Sequence, residues 1–91
     1  MAILIDEPMW PAHGRLWAHL VSDTDLEELH AFAQAHDIPR RGFDLDHYDV
    51  PAEAHARLVA GGAQHVDGHE LVRRLLASGL RVPARDRRRN R

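Results

Sequence analysis

Glu7-Pro8-Met9-Trp10-Pro11-Ala12-His13-Gly14-Arg15-Leu16-Trp17-Ala18-His19-Leu20-Val21-Ser22-Asp23 is the stretch on which the reading of this chain turns. It follows Ala2-Ile3-Leu4-Ile5, an apolar run with β-branched residues that fits a strand buried on both faces, as in a parallel sheet. Two prolines and a glycine interrupt residues 7 to 23, which therefore read as one long connection. Connections of about 12–15 residues or more in compact domains are usually functional or disordered. Met9, Trp10, Leu16, Trp17 and Leu20 can anchor this one by packing, which favours an ordered, functional loop. Leu16 to Val21 reads as a short helical turn.

Outward from that loop the signals are conventional. Thr24-Asp25-Leu26-Glu27 matches a capping box, with Ser22 and Asp23 as rival caps. Leu26, Leu29, Phe32 and Ala33 then share one helical face as far as about His36. Arg40 to Asp44 is a candidate second strand, Pro51 opens a helix over 52–60, and Gly61-Gly62 stops it. Ala63 to Val66 reads as a third strand. Asp67 caps the next helix, whose apolar face is Leu71, Val72, Leu75 and Leu76, and Leu80-Arg81-Val82 is a candidate last strand. This order predicts a small single α/β domain over 1–83, with three to four short, mainly parallel strands and about three helices. An arginine-rich tail, expected to be flexible, occupies 84–91.

Composition narrows the function classes. Ninety-one residues with 44% hydrophobic and 29% charged content describe a globular chain, and no apolar run approaches the roughly 20 residues that span a bilayer. No secretory leader pattern opens the chain, so the cytoplasm is the expected address. Without cysteine there are no thiolate ligands or disulfides, and any metal must be held by nitrogen and oxygen. Residues 1–80 hold 13 acids against 6 arginines, while residues 81–91 hold 6 arginines against Asp86. An acidic body repels polyanions, which argues against nucleic acid as the main ligand except through the C-terminal tail.

The chemistry concentrates in two places. Phe43-Asp44-Leu45-Asp46-His47-Tyr48-Asp49-Val50-Pro51 packs carboxylates, an imidazole and a phenol together, and the long loop adds His13, His19 and Asp23. Imidazole with carboxylate is the usual ligand set for zinc, iron or manganese when thiols are absent. His19 and Asp23 share a face if their segment turns helically, and His47 and Asp49 share one if theirs is extended. The proposed ligands of a divalent metal, zinc among the candidates, are therefore His19, Asp23, His47 and Asp49, with His13 as substitute or addition. Asp46 is the candidate base, with Tyr48 or Arg15 stabilising developing charge. Against this stands the plainer reading, in which Asp23 caps a helix, Asp46 and Asp49 close turns, and the imidazoles bond to backbone. Glu27-Glu28-Leu29-His30 has the Glu-x-x-His spacing of di-iron bundles, but the sequence has no second copy, so His30 reads as a core-edge histidine.

Ile5-Asp6, Trp10-Pro11, His19-Leu20-Val21-Ser22-Asp23, Glu28-Leu29-His30-Ala31-Phe32-Ala33 and His47-Tyr48-Asp49 carry a resemblance over nearly the whole chain. In these blocks it resembles a family of small bacterial and bacteriophage proteins, the domain of unknown function numbered four-zero-three-one. The resemblance implies no established activity and brings no assigned catalytic residues; it shifts weight toward His19, Asp23, His47, Tyr48 and Asp49. The arginine tail is not part of that pattern. Two expectations follow. One is a small metal-dependent enzyme, a hydrolase acting on a small-molecule substrate. The other is a non-enzymatic binding or adaptor module with a structural histidine/aspartate cluster and a protein partner.

Overall fold

A computed structural model describes residues 2–83, so the arginine-rich segment 84–91 lies outside the described residues. The fold is α/β, with three helices and a six-stranded sheet, but the sheet is mixed and mostly antiparallel. That corrects the mainly parallel architecture read from the sequence. The physical reason is the stretch 7–23. It is a β-hairpin rather than a loop, joining strand β2 (Trp10–Ala12) to the long strand β3 (Arg15–Ser22). Its two central residues, His13 and Gly14, both have positive φ, 54° and 78°. Two-residue turns of that handedness match the natural twist of antiparallel strands.

Strand β3 is the spine. On one edge it pairs with β5 (His47–Pro51), which continues through a tight turn at Leu45 from β4 (Phe43–Asp44). On the other edge lie β1 (Ile3–Ile5) and β2, both antiparallel to β3. The chain between them breaks the ladder at Asp6-Glu7-Pro8, where proline has no N–H to give. Strand β6 (Gln64–His65) adds to β1 and is the one parallel pairing among the described strands. Leu80-Arg81-Val82, expected as a strand, is irregular.

Period-two alternation along the strands divides the sheet into two faces. On one face Ile3, Ile5, Ala18, Leu20, Tyr48 and Val50 are buried against helix α1 (Leu26–Ala35) and helix α2 (His55–Ala60). On the other, Leu4 and Val21 meet Leu71 and Leu75 of helix α3 (Gly68–Ser78). Helix α3 covers only the β1 side of this second face. The side built by β2, β3 and β5 is left for polar chemistry.

The helix ends follow local rules. Asp67 caps α3 by accepting the Glu70 N–H, while the Glu70 carboxylate turns to Arg73 rather than back to the cap. Helix α1 is capped by Asp25, one residue later than the Thr24 box predicted, and Ser22 accepts the N–H groups of Thr24 and Asp25 just ahead of it. Asp23 takes a different part. Its carboxylate accepts the Ala2 N–H at 2.8 Å and pairs with Arg74 of α3 at 2.7 Å, tying the start of the chain to its last helix.

Burial alone would raise the Asp23 carboxyl, but the hydrogen bonds from Ala2, Arg74 and Thr24 outweigh it and hold it below its ordinary 3.8. A carboxylate lowered in the folded state contributes stability above its unfolded pKa and loses it as pH falls through the folded value. Asp23→Asn should therefore cost about 1.5–3 kcal/mol near neutral pH, the worth of hydrogen bonds to a charged group. In urea unfolding the gap between the two proteins should close as the pH falls below 3.8. An equal gap at neutral and strongly acidic pH would contradict this account.

Candidate metal centre

The register of β3 against β5 builds the site. His19 lies directly opposite Asp49, and Leu20 opposite Tyr48. His47 and Asp49, two apart on β5, project from the same face as His19, whereas Tyr48 projects into the core. One ligand atom from each of His19, His47 and Asp49 lies within 4.8 Å of the others. The two imidazole rings meet edge to face, with centroids 5.2 Å apart.

Each imidazole is held by its own carboxylate. Asp6 follows β1, where the pairing along this edge of β3 is interrupted before β2 resumes it, and is 7% exposed. One of its oxygens accepts the His19 backbone N–H at 2.6 Å, and the other bonds His19 Nδ1 at 2.8 Å. Asp46 is fully buried and bonds His47 Nδ1 at 2.8 Å with one oxygen, while the other accepts the Val82 N–H. Arg81 stands 3.9 Å from that second oxygen. With both Nδ1 atoms occupied, each ring has Nε2 left to offer. Metal-binding histidines are ordinarily oriented by such carboxylate partners on their other nitrogen.

Asp49 completes the group in a less satisfied state. Its Oδ1 is 2.9 Å from His47 Nε2, an ion pair when the imidazole is protonated. The oxygen is buried, and no donor other than that ring nitrogen meets it among the described residues. Burial works against a charged His47, but the Asp46 and Asp49 carboxylates overcome it and raise the imidazole pKa to about 9.

The remaining sequence candidates fall elsewhere. Asp23, bound to Ala2 and Arg74, is not brought to the group, because the segment 16–22 is a strand and not the helical turn that would align it with His19. His13 is at the exposed tip of the β2–β3 hairpin. Arg15 pairs with Glu53 at 3.0 Å and lies over the Trp17 ring. Tyr48 is buried on the helix-covered face, its hydroxyl 2.7 Å from His30 Nδ1, which also makes His30 the core-edge residue expected of it. Asp46 orients His47. Sequence reasoning passed over Asp6 and Arg81. Asp6 stood in plain view after an apolar run, but only the strand break brings it to His19.

Fold and site together define a small α/β protein with a histidine–carboxylate cluster on the open part of its sheet. The chain belongs to the family described as Protein of unknown function (DUF4031), whose model matches residues 3–78. No curated protein and no solved structure matches it.

With no metal added, the His47 imidazole should carry both ring protons at neutral pH and titrate near 9. Nitrogen-15 spectra of the histidine side chains measure this directly. Asp46→Asn should lower that pKa, and Asp46→Ala should destabilise the fold by about 3–5 kcal/mol, as expected when one partner of a buried pair is removed. Titration of His47 near its ordinary value in the parent protein would mean that the two carboxylates do not act on it as described.

Proposed function

We propose that His19, His47 and Asp49 bind one divalent metal ion, with zinc the foremost candidate, and that the protein is a small metal-dependent hydrolase. The observation that carries this reading is the pair of carboxylates, Asp6 and Asp46, each fixing a histidine through Nδ1, beside ligand atoms of His19, His47 and Asp49 that lie within 4.8 Å of one another. Ligand atoms on a tetrahedral zinc with bonds of about 2.0–2.1 Å lie about 3.3 Å apart, so side-chain movements of the order of 1 Å bring the set to coordinating distance. Three protein ligands leave a position open for water, as in catalytic and unlike structural zinc sites. An ion held there lowers the pKa of bound water to about 7. Arg81, beside Asp46 and bordering the same cavity as His19 and His47, is a cation available to developing negative charge. Tyr48 and Arg15 take no part in this reading, because their contacts hold them away from the three ligands.

A second reading has its own observation. His47 meets a carboxylate at each ring nitrogen, so a protonated His47 closes the cluster without any ion. The protein would then be a binding module with a structural charge cluster.

Metal analysis of protein purified without a histidine tag separates the two. The hydrolase reading expects one equivalent of metal, lost in His19→Ala, His47→Ala and Asp49→Ala but kept in Asp23→Ala. Hydrolysis of a chromogenic phosphate or carboxylate ester should be lost with the metal and return on adding zinc. Protein that takes up no metal, or that keeps it in all three ligand variants, would transfer the cluster to the structural reading.

A further inference from the structure

The open face holds more than three ligands. Arg15, Trp17 and His19 alternate along β3, and Trp10 of β2 is paired with Trp17. The rings form a continuous row: Trp17 stacks on Trp10 with centroids 6.0 Å apart, and Trp10 on His19 at 5.8 Å. Beside this row runs a cleft of about 600 Å³ that Arg41 and Asp44 also line and that reaches Asp49 at the proposed metal centre. That volume lies within the range of small-molecule sites, which runs from about 300 to 1,000 Å³.

Its chemistry is specific. The Arg41 guanidinium is exposed and has no ion pair among the described residues, whereas Arg15 is already engaged by Glu53. The indole N–H of Trp10 is buried without an acceptor among the described residues. The cleft therefore combines an aromatic wall and one uncommitted cation, and it ends at a carboxylate placed to hold a metal ion. Aromatic side chains with nearby cations are the usual platform for nucleobases, which stack on them without regard to sequence. Phosphate oxygens are natural partners of a guanidinium and of a hard divalent ion.

We infer that this cleft binds a nucleoside monophosphate, the base against the tryptophan row and the phosphate between Arg41 and the metal ion. The inference rests on the metal reading above for its phosphate end. A single nucleotide is favoured over a polymer because residues 1–80 carry 13 acids against 6 arginines, which repels an extended polyanion.

Calorimetric titration of the zinc-loaded full chain with AMP, adenosine, ribose 5-phosphate and a short oligothymidylate tests it. AMP should bind at least about tenfold more tightly than adenosine or ribose 5-phosphate, since each lacks one half of the recognised group. Chelation should weaken AMP binding and leave adenosine binding unchanged. Trp17→Ala and Arg41→Ala should each weaken AMP binding by about tenfold; Arg41 is on the surface, so that variant reads out binding even where Trp17→Ala unfolds. Ribose 5-phosphate binding as tightly as AMP would abolish the base site, and adenosine binding as tightly would abolish the phosphate site. Oligothymidylate that outcompetes AMP and is weakened by Trp17→Ala would hand the cleft to single-stranded nucleic acid and overturn the inference. Stoichiometric metal uptake with no AMP binding overturns this inference alone, whereas no metal uptake overturns it together with the hydrolase reading.

Discussion

The pairing of β3 with β5 is the constraint on which the rest of the molecule depends. Because side chains alternate strictly along a strand, one register decides two surfaces at once. With Ala18 opposite Val50 and Leu20 opposite Tyr48, the helix-covered core is assembled. With Trp17 opposite Pro51 and His19 opposite Asp49, the polar face is assembled in the same act. A slip of one residue would bury His19 and expose Leu20, so the alternation that builds the core also places the site. Packing energy thereby fixes the geometry of the histidine–carboxylate cluster. The cluster has no need to supply its own positioning energy.

That independence bears on why the cluster exists. Asp46 is fully buried, Asp6 nearly so, and each charge taken out of water costs several kcal/mol that its partners offset only when geometry is good. Replacing a buried ion pair by apolar residues of similar volume is often neutral or stabilising. A short chain has little core to spare for such groups. Here two carboxylates, two imidazoles and a third carboxylate occupy one patch of a sheet whose register is already secured elsewhere. Buried titratable groups drawn together in this way, with His47 raised to about 9 between two carboxylates, are the pattern expected of a functional site.

Much of the fold was legible in the sequence, and the failures share one cause. Helices α1 and α3, the Asp67 cap and the strand at Gln64–His65 follow from apolar spacing and turn residues that act locally. The hairpin at 10–22 was missed because Pro8, Pro11 and Gly14 were weighed as breakers. Yet Leu16, Ala18 and Leu20 alternate with Arg15, Trp17 and His19, and a two-residue His13-Gly14 turn precedes them. That alternation is the period of a half-buried strand. Reading it as a loop turned a hairpin into a crossover and an antiparallel sheet into a parallel one. The same reading aligned Asp23 with His19, since four residues span one helical turn but some 13 Å of strand. That His47 and Asp49 share a face was legible because it depends only on strand period within one element. Asp6 was not recoverable this way: its role arises where a ladder break leaves the His19 N–H to be met by a side chain, a pairing 13 residues apart.

The unequal cover of the two faces explains how so small a chain keeps an accessible site. Helices α1 and α2 close one face completely over the strands they meet, while α3 closes the other only above Leu4 and Val21. After α3 ends at Gly79, in a left-handed conformation that suits glycine, the chain turns back so that the Val82 N–H reaches Asp46. The last described segment thus adds a donor to the carboxylate that orients His47. Two cavities border the cluster, one lined by His19, His47 and Leu71, the other by Trp10, Phe43 and Asp49. The two cavities differ in their walls, for the tryptophan row borders only the one that reaches Asp49.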